Sequence, residues 1–117
     1  MEMKSAASAL GALAHEGRLS AFRLLIQAGA EGLAAGEIAR RLEVLPNTLS
    51  ASLNILSQAG LITSRRDGRS IIYNADYAAM RELLGFLMED CCGGAPEICA
   101  PLVAIASQCC EAEGRYA

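Results

Sequence analysis

The sequence predicts a mainly α-helical fold with one small β-hairpin. Apolar residues recur at spacings of three and four along most of the chain, the period of helices with one buried face. Composition agrees: Ala and Leu are abundant, and the only aromatic residues are two Phe and three Tyr, too few for a typical sandwich or barrel. Asp67-Gly68 lies between two β-prone runs and signals a hairpin. The 117 residues support one domain with a modest core, which a partner subunit would complement. At 53% hydrophobic and 20% charged, the chain is not a disordered one.

The elements follow in order. Met3, Ala6, Ala7, Leu10 and Ala14 form a first helical stripe, interrupted at His15-Glu16-Gly17. Leu19, Phe22, Leu25 and Ile26 form a second, closed by Gly29. Gly32 and Gly36 bound a loop, and Ile38, Ala39 and Leu42 mark a short helix with Glu37 in its first turn. Pro46 opens another helix, lined by Leu49, Leu53 and Leu56 and stopped by Gly60. Residues 61–63 and 71–73 read as strands around the turn. Asp76 caps a last long helix with Met80, Leu83, Leu84, Leu87 and Met88 on its apolar side, and a short helix starts at Pro101.

No segment reads as membrane-spanning. The longest uncharged stretch, 44–64, carries three Ser among Asn47, Thr48, Asn54 and Gln58 in addition to Ser64, which hydrocarbon does not tolerate. The run after Lys4 has helical spacing and few strong apolar residues, so it reads as an amphipathic helix rather than a signal peptide. A cytoplasmic protein without a membrane partner is the expectation.

Charge is unevenly distributed beneath the net value of −3. Five of the ten basic residues are Arg40, Arg41, Arg65, Arg66 and Arg69, opposed locally by Glu43 and Asp67. From Asp76 onward acidic residues dominate. A local basic patch holds a polyanion even on an acidic protein, because charges are screened beyond about 8–10 Å. A solvated surface explains the charge pattern equally well when taken alone.

The order decides between these readings. A short helix, a turn, a second helix with a polar outer face and a charged hairpin describe a winged helix-turn-helix. The outer face of the helix from Pro46 presents Asn47, Thr48, Ser50, Ala51, Asn54 and Gln58, short groups able to approach base edges or phosphates. An ordinary solvated helix uses Glu and Lys for solubility; this one carries no charge. Arg65, Arg66 and Arg69 are expected at a narrow hairpin tip, with Arg41 on the preceding helix, as further DNA contacts.

Residues 13–19 with Leu24-Leu25 resemble the opening signature of the ArsR/SmtB family of metal-responsive repressors. Residues 47–56 with Ala59-Gly60-Leu61-Ile62 resemble its recognition helix, and 65–73 its wing. Ser52 stands where many members have His. The resemblance spans roughly residues 9 to 90. It implies a homodimer that binds double-stranded operator DNA of twofold symmetry and leaves it on binding a metal or metalloid. In the family the first and last helices form the dimer interface, which here nominates Met3, Leu10, Met80, Leu83, Leu84 and Leu87. The expected division is 1–90 for DNA binding and dimerisation and 91–117 for a cysteine-rich, inducer-binding tail.

All five cysteines, Cys91, Cys92, Cys99, Cys109 and Cys110, lie in that tail, and the sole His is His15. None occupies the helix where one branch of arsenic sensors carries a Cys-Val-Cys pair, and the family's usual zinc ligands are missing. Thiolates without imidazole select soft ions. Trivalent arsenic or antimony forms three pyramidal bonds that three sulfurs complete. The run 91–99 resembles the C-terminal metalloid site of another branch, which implies Cys91, Cys92 and Cys99 as ligands; Cys109 and Cys110 are substitutes or a second site. No catalytic cofactor is implied.

Two rivals share the fold: a thiol-redox sensor and a sensor of soft divalent metals. Glu89, Asp90 and Glu97 surround the cysteines and favour neutral thiols, which disfavours a peroxide-reactive thiolate. Arsenite tolerates this, since its three hydroxyls leave as water with the thiol protons. An enzyme is the weakest class: no nucleophile has an evident base, and an arsenate reductase would need a cationic loop around its thiol. A protein-interaction module without DNA is the other non-regulatory reading.

Overall fold

The structure, a computed structural model, describes residues 1–89, 97, 100–102 and 104–105. Helix α1 (Met3–Leu13) turns inward with Ala6, Ala9 and Ala12. The expected stripe is corrected in phase: Met3, Ala7, Leu10 and Ala14 are exposed. An alanine face lets the helix backbone approach its neighbours closely and leaves the longer side chains outside.

His15 separates α1 from α2 (Glu16–Ala28). Its extended backbone and a hydrogen bond from the Gly17 N–H to its Nδ1 (3.2 Å) make it the N-cap of α2. Arg18 Nε donates to the Ala12 carbonyl (2.6 Å) at the end of α1, filling an acceptor that the helix leaves open. Ala21, Phe22 and Leu25 are the buried residues of α2, while Leu19, expected on the inner stripe, is exposed. Gly29, at φ 77°, ends the helix as predicted.

A 3-10 turn (Gly29–Glu31) leads into β1 (Leu33–Ala34), where the sequence reads only a loop. Two residues carry no alternation, so only their partner defines them as a strand. The helix-turn-helix follows: α3 (Ala35–Leu42), with Ile38 and Ala39 buried, then α4 (Pro46–Gln58), with Leu49, Leu53 and Leu56 buried. Between them Glu43 takes the left-handed conformation (φ 55°, ψ 46°), and the Val44 N–H returns to the Ala39 carbonyl (3.1 Å).

The hairpin is longer than expected. β2 (Ile62–Asp67) and β3 (Ser70–Ala75) pair antiparallel through six residues each, and the sheet order is β1-β3-β2. The turn is Gly68-Arg69, with a positive φ of 64° at Gly68 alone. The middle of β2 is exposed on both faces, so it lacks the apolar alternation by which a strand is recognised in sequence. Leu61 and Ile62 enter the core from its base. Asp76 caps α5 (Tyr77–Met88) as predicted, its Oδ1 accepting from the Ala79 N–H at 3.0 Å. The Tyr77 hydroxyl donates to the Ile26 carbonyl (2.7 Å) and ties the start of α5 to α2.

The core joins the inner faces of α1 to α4 with Leu61, Ile62, Ala75 and Leu83. The chain divides into two compact units, Met1–Phe86 and Leu87–Ala117. In the second, residues 101, 102, 104 and 105 are helical, where a short helix is predicted. Among the described residues no helix is long and apolar enough to cross a membrane.

Candidate nucleic-acid interface

Helix α4 is divided by its own periodicity. Leu49, Leu53 and Leu56 are each at most 3% exposed and hold the helix on the core. Asn47, Thr48, Ser50, Ala51, Asn54 and Gln58 are all exposed on the remaining surface. Asn47, Ala51, Asn54 and Gln58 follow i, i+4, i+7, i+11 spacing and form the stripe farthest from the core. Ser52 is half-buried at its margin. This surface offers amides, hydroxyls and methyls and no ionised group.

Charge comes from the flanks. The hairpin places Arg65 and Arg66 on β2 and Arg69 in the turn, so only Arg69 occupies the tip where all three were expected. Successive residues of a strand face opposite ways, and the two β2 arginines have different surroundings. Arg65 donates from Nη1 to Asn74 Oδ1 (2.5 Å) and from Nη2 to the Glu31 carbonyl (3.0 Å). Asn74 Nδ2 in turn donates to the Ala30 carbonyl (2.8 Å). The pair staples the base of the hairpin to the 3-10 turn. Gly32 makes that approach possible: at φ 71°, a Cβ there would stand 2.3 Å from the Tyr73 carbonyl oxygen. Arg66 and Arg69 are exposed and, among the described residues, take part in no hydrogen bond or ion pair.

On α3, Arg41 is exposed but engaged. Its Nε donates to Glu37 Oε2 (2.6 Å), and Arg40 grips both oxygens of the same carboxylate. These bonds, that to Arg40 first and that to Arg41 second, hold the Glu37 carboxyl at about 2. One carboxylate thus offsets one of the two cations that α3 brings beside α4.

The proposed dimer residues divide similarly. Met3, Leu10, Leu84 and Leu87 are exposed, Met80 is half-buried, and Leu83 lies inside the core of its own chain. The five cysteines lie outside the described residues, and no three His, Cys, Asp or Glu among the described residues come together as a metal site.

Two features escaped the sequence reading. The structural use of Arg65 depends on partners 9 and 34 positions away, which no local pattern reveals. Leu45, the N-cap of α4, is 73% exposed, although an apolar residue beside the helix-turn-helix reads as core.

The chain is similar to known regulators. A helix-turn-helix domain family matches residues 13–65. A putative arsenical resistance operon repressor from Halobacterium salinarum is 43% identical over 60 residues, 51% of this chain; the match spans 46% of that relative's length. An ArsR-like transcriptional regulator from Rhodococcus sp. RHA1 has a similar structure (TM-score 0.66, 29% identity), covering 89% of this chain and 92% of that one. So does the homodimeric winged helix-turn-helix DNA-binding domain of a possible ArsR-family regulator from Mycobacterium bovis (TM-score 0.60, 28% identity, 75% and 82% covered). A signature opening, an uncharged reading helix and an arginine-bearing wing occur here in the order these relatives share, and the chain belongs to the ArsR/SmtB family of winged helix-turn-helix transcriptional repressors.

Proposed function

We propose that the protein is a homodimeric repressor of an arsenic-resistance operon, released from its operator by trivalent arsenic or antimony. The observation that carries DNA binding is the uncharged outer face of α4 flanked by the free arginines Arg66 and Arg69. Hydrogen-bonding groups on that face meet base edges in the major groove, and the wing cations meet phosphate. In a twofold dimer the two α4 helices enter successive major grooves about 10 base pairs apart. Exposed Met3, Leu10, Leu84 and Leu87 supply apolar surface for such a dimer, as does the homodimeric state of the Mycobacterium bovis relative.

The inducer rests on donor chemistry and on the Halobacterium salinarum relative's description as an arsenical resistance operon repressor. Cys91, Cys92 and Cys99 follow directly on α5 in sequence. Three soft sulfurs fit a trivalent metalloid, and Cys109 and Cys110 are in reserve. A ligand joined there reshapes the end of α5, and with it the dimer that sets the spacing of the reading heads. A coupling of about 1–3 kcal/mol loosens DNA roughly 5–150-fold. The deciding experiment is fluorescence anisotropy of the reduced protein on DNA from upstream of its own gene, titrated with arsenite, zinc and peroxide. Release by arsenite supports the reading; indifference to arsenite with release by peroxide replaces it with a thiol-redox repressor.

A further inference from the structure

Leu45 occupies a position that local stability and solubility both argue against. It is the N-cap of α4, where Ser, Thr, Asp or Asn would accept a hydrogen bond from the first turn, and no side chain caps the helix there. It is 73% exposed, so it contributes little to the core, whereas its neighbour Val44 already packs on that core. Its conformation is constrained. Pro46 restricts the preceding residue to extended backbone, and Leu45 is observed at φ −68°, ψ 144°. The apolar side chain is therefore held out at the N-terminal end of the reading helix, beside exposed Asn47 and Thr48.

The composition of α4 narrows what this end can recognise. The helix has no Arg or Lys for the guanine edge and no Asp or Glu for the cytosine amine. What remains is amide to adenine, hydroxyl to several acceptors, and apolar contact to the thymine methyl. Recognition helices bring their N-terminal residues to the base edges. We propose that Leu45 packs against the C5-methyl group of a thymine in each operator half-site and makes the chain selective for that base. This inference rests on the DNA-binding reading above. The contact buries a leucine that is otherwise left in water.

The test removes the methyl group from the DNA instead of from the protein alone. Wild-type full-length chain first selects its preferred duplex from a random pool. Anisotropy then compares wild type, Leu45→Ala and Leu45→Ser on that duplex and on versions in which each dT is replaced in turn by dU. One dT→dU swap is expected to weaken the wild type about fourfold, the value of one buried methyl, and to leave both variants unmoved. Leu45→Ser is expected to melt a few degrees higher, because a serine hydroxyl caps the helix, so its lost discrimination is not a folding defect. A flat scan in the wild type, or a swap that costs wild type and variants equally, overturns the assignment. A wild type that selects no sequence and binds no duplex overturns the DNA-binding reading with it, before any Leu45 variant is made.

Discussion

Arg65 and Asn74 join the two long strands of the wing diagonally, Arg65 Nη1 donating to Asn74 Oδ1 at 2.5 Å. Both side chains also reach the 3-10 turn, at the carbonyls of Glu31 and Ala30. Arg65 is therefore tied to the scaffold, whereas Arg66, one residue on, is free to meet a phosphate. Arg66→Ala should weaken binding on all DNA sequences alike and lower the salt slope by about 1. Arg65→Ala and Asn74→Ala should each cost about 1 kcal/mol of stability, seen as a lower urea midpoint at unchanged m. An Arg66→Ala protein with an unaltered salt slope would remove the wing strand from the contacts.

The Glu37 ion pairs make a second, opposite prediction. Glu37→Gln removes the carboxylate that engages Arg40 and Arg41, so non-specific DNA affinity should rise and the salt slope steepen by about 1. The acid limb of stability should change as well. A carboxyl held at about 2 in the folded chain instead of the ordinary 4.5 adds stability above pH 4.5 that disappears as pH falls from there through 2. Glu37→Gln lacks this contribution, so its stability should fall less steeply over that window in a pH series of denaturant titrations.

Two positive-φ positions should respond in opposite directions. Gly32→Ala adds a Cβ that collides with the Tyr73 carbonyl at φ 71°, and should cost at least about 2 kcal/mol. Glu43 has a left-handed backbone (φ 55°) without glycine's freedom, so Glu43→Gly should gain about 1 kcal/mol. Thermal melts of the two variants check both signs; a destabilised Glu43→Gly would mean that the glutamate side chain itself supports the turn.

The inducer reading is tested at the cysteines. Cys91→Ser and Cys99→Ser should each keep operator affinity within about twofold and lose most of the 5–150-fold release by arsenite. Unchanged release in both would discard the three-thiol site, and loss only in Cys109→Ser or Cys110→Ser would move the ligands down the chain.

Much of the fold was legible because it is written in local periodicity. Leu49, Leu53 and Leu56 declare the inner face of α4 by spacing alone, and Gly29, Asp76 and Gly68 mark ends and turns by backbone and capping chemistry. The polar outer face of α4 was legible for the same reason: on a helix, the buried stripe defines its opposite. What could not be read was any assignment needing a partner distant in the chain. The strand at Leu33–Ala34 exists through β3, the true length of the wing comes from backbone pairing of polar residues, and the inner phase of α1 was settled by which face packs closest.

The sequence by itself determined the helix-turn-helix order, the uncharged reading face, the basic middle and the clustering of all thiols in the last 27 residues. Only the tertiary structure decided how side chains of one type are used. It tied Arg65 to the scaffold and left Arg66 free, set Glu37 between Arg40 and Arg41, and put Leu83 inside and Leu45 outside. The reason is physical: helical and turn preferences act over a few neighbouring residues, whereas burial and hydrogen-bond satisfaction depend on what the rest of the chain places nearby.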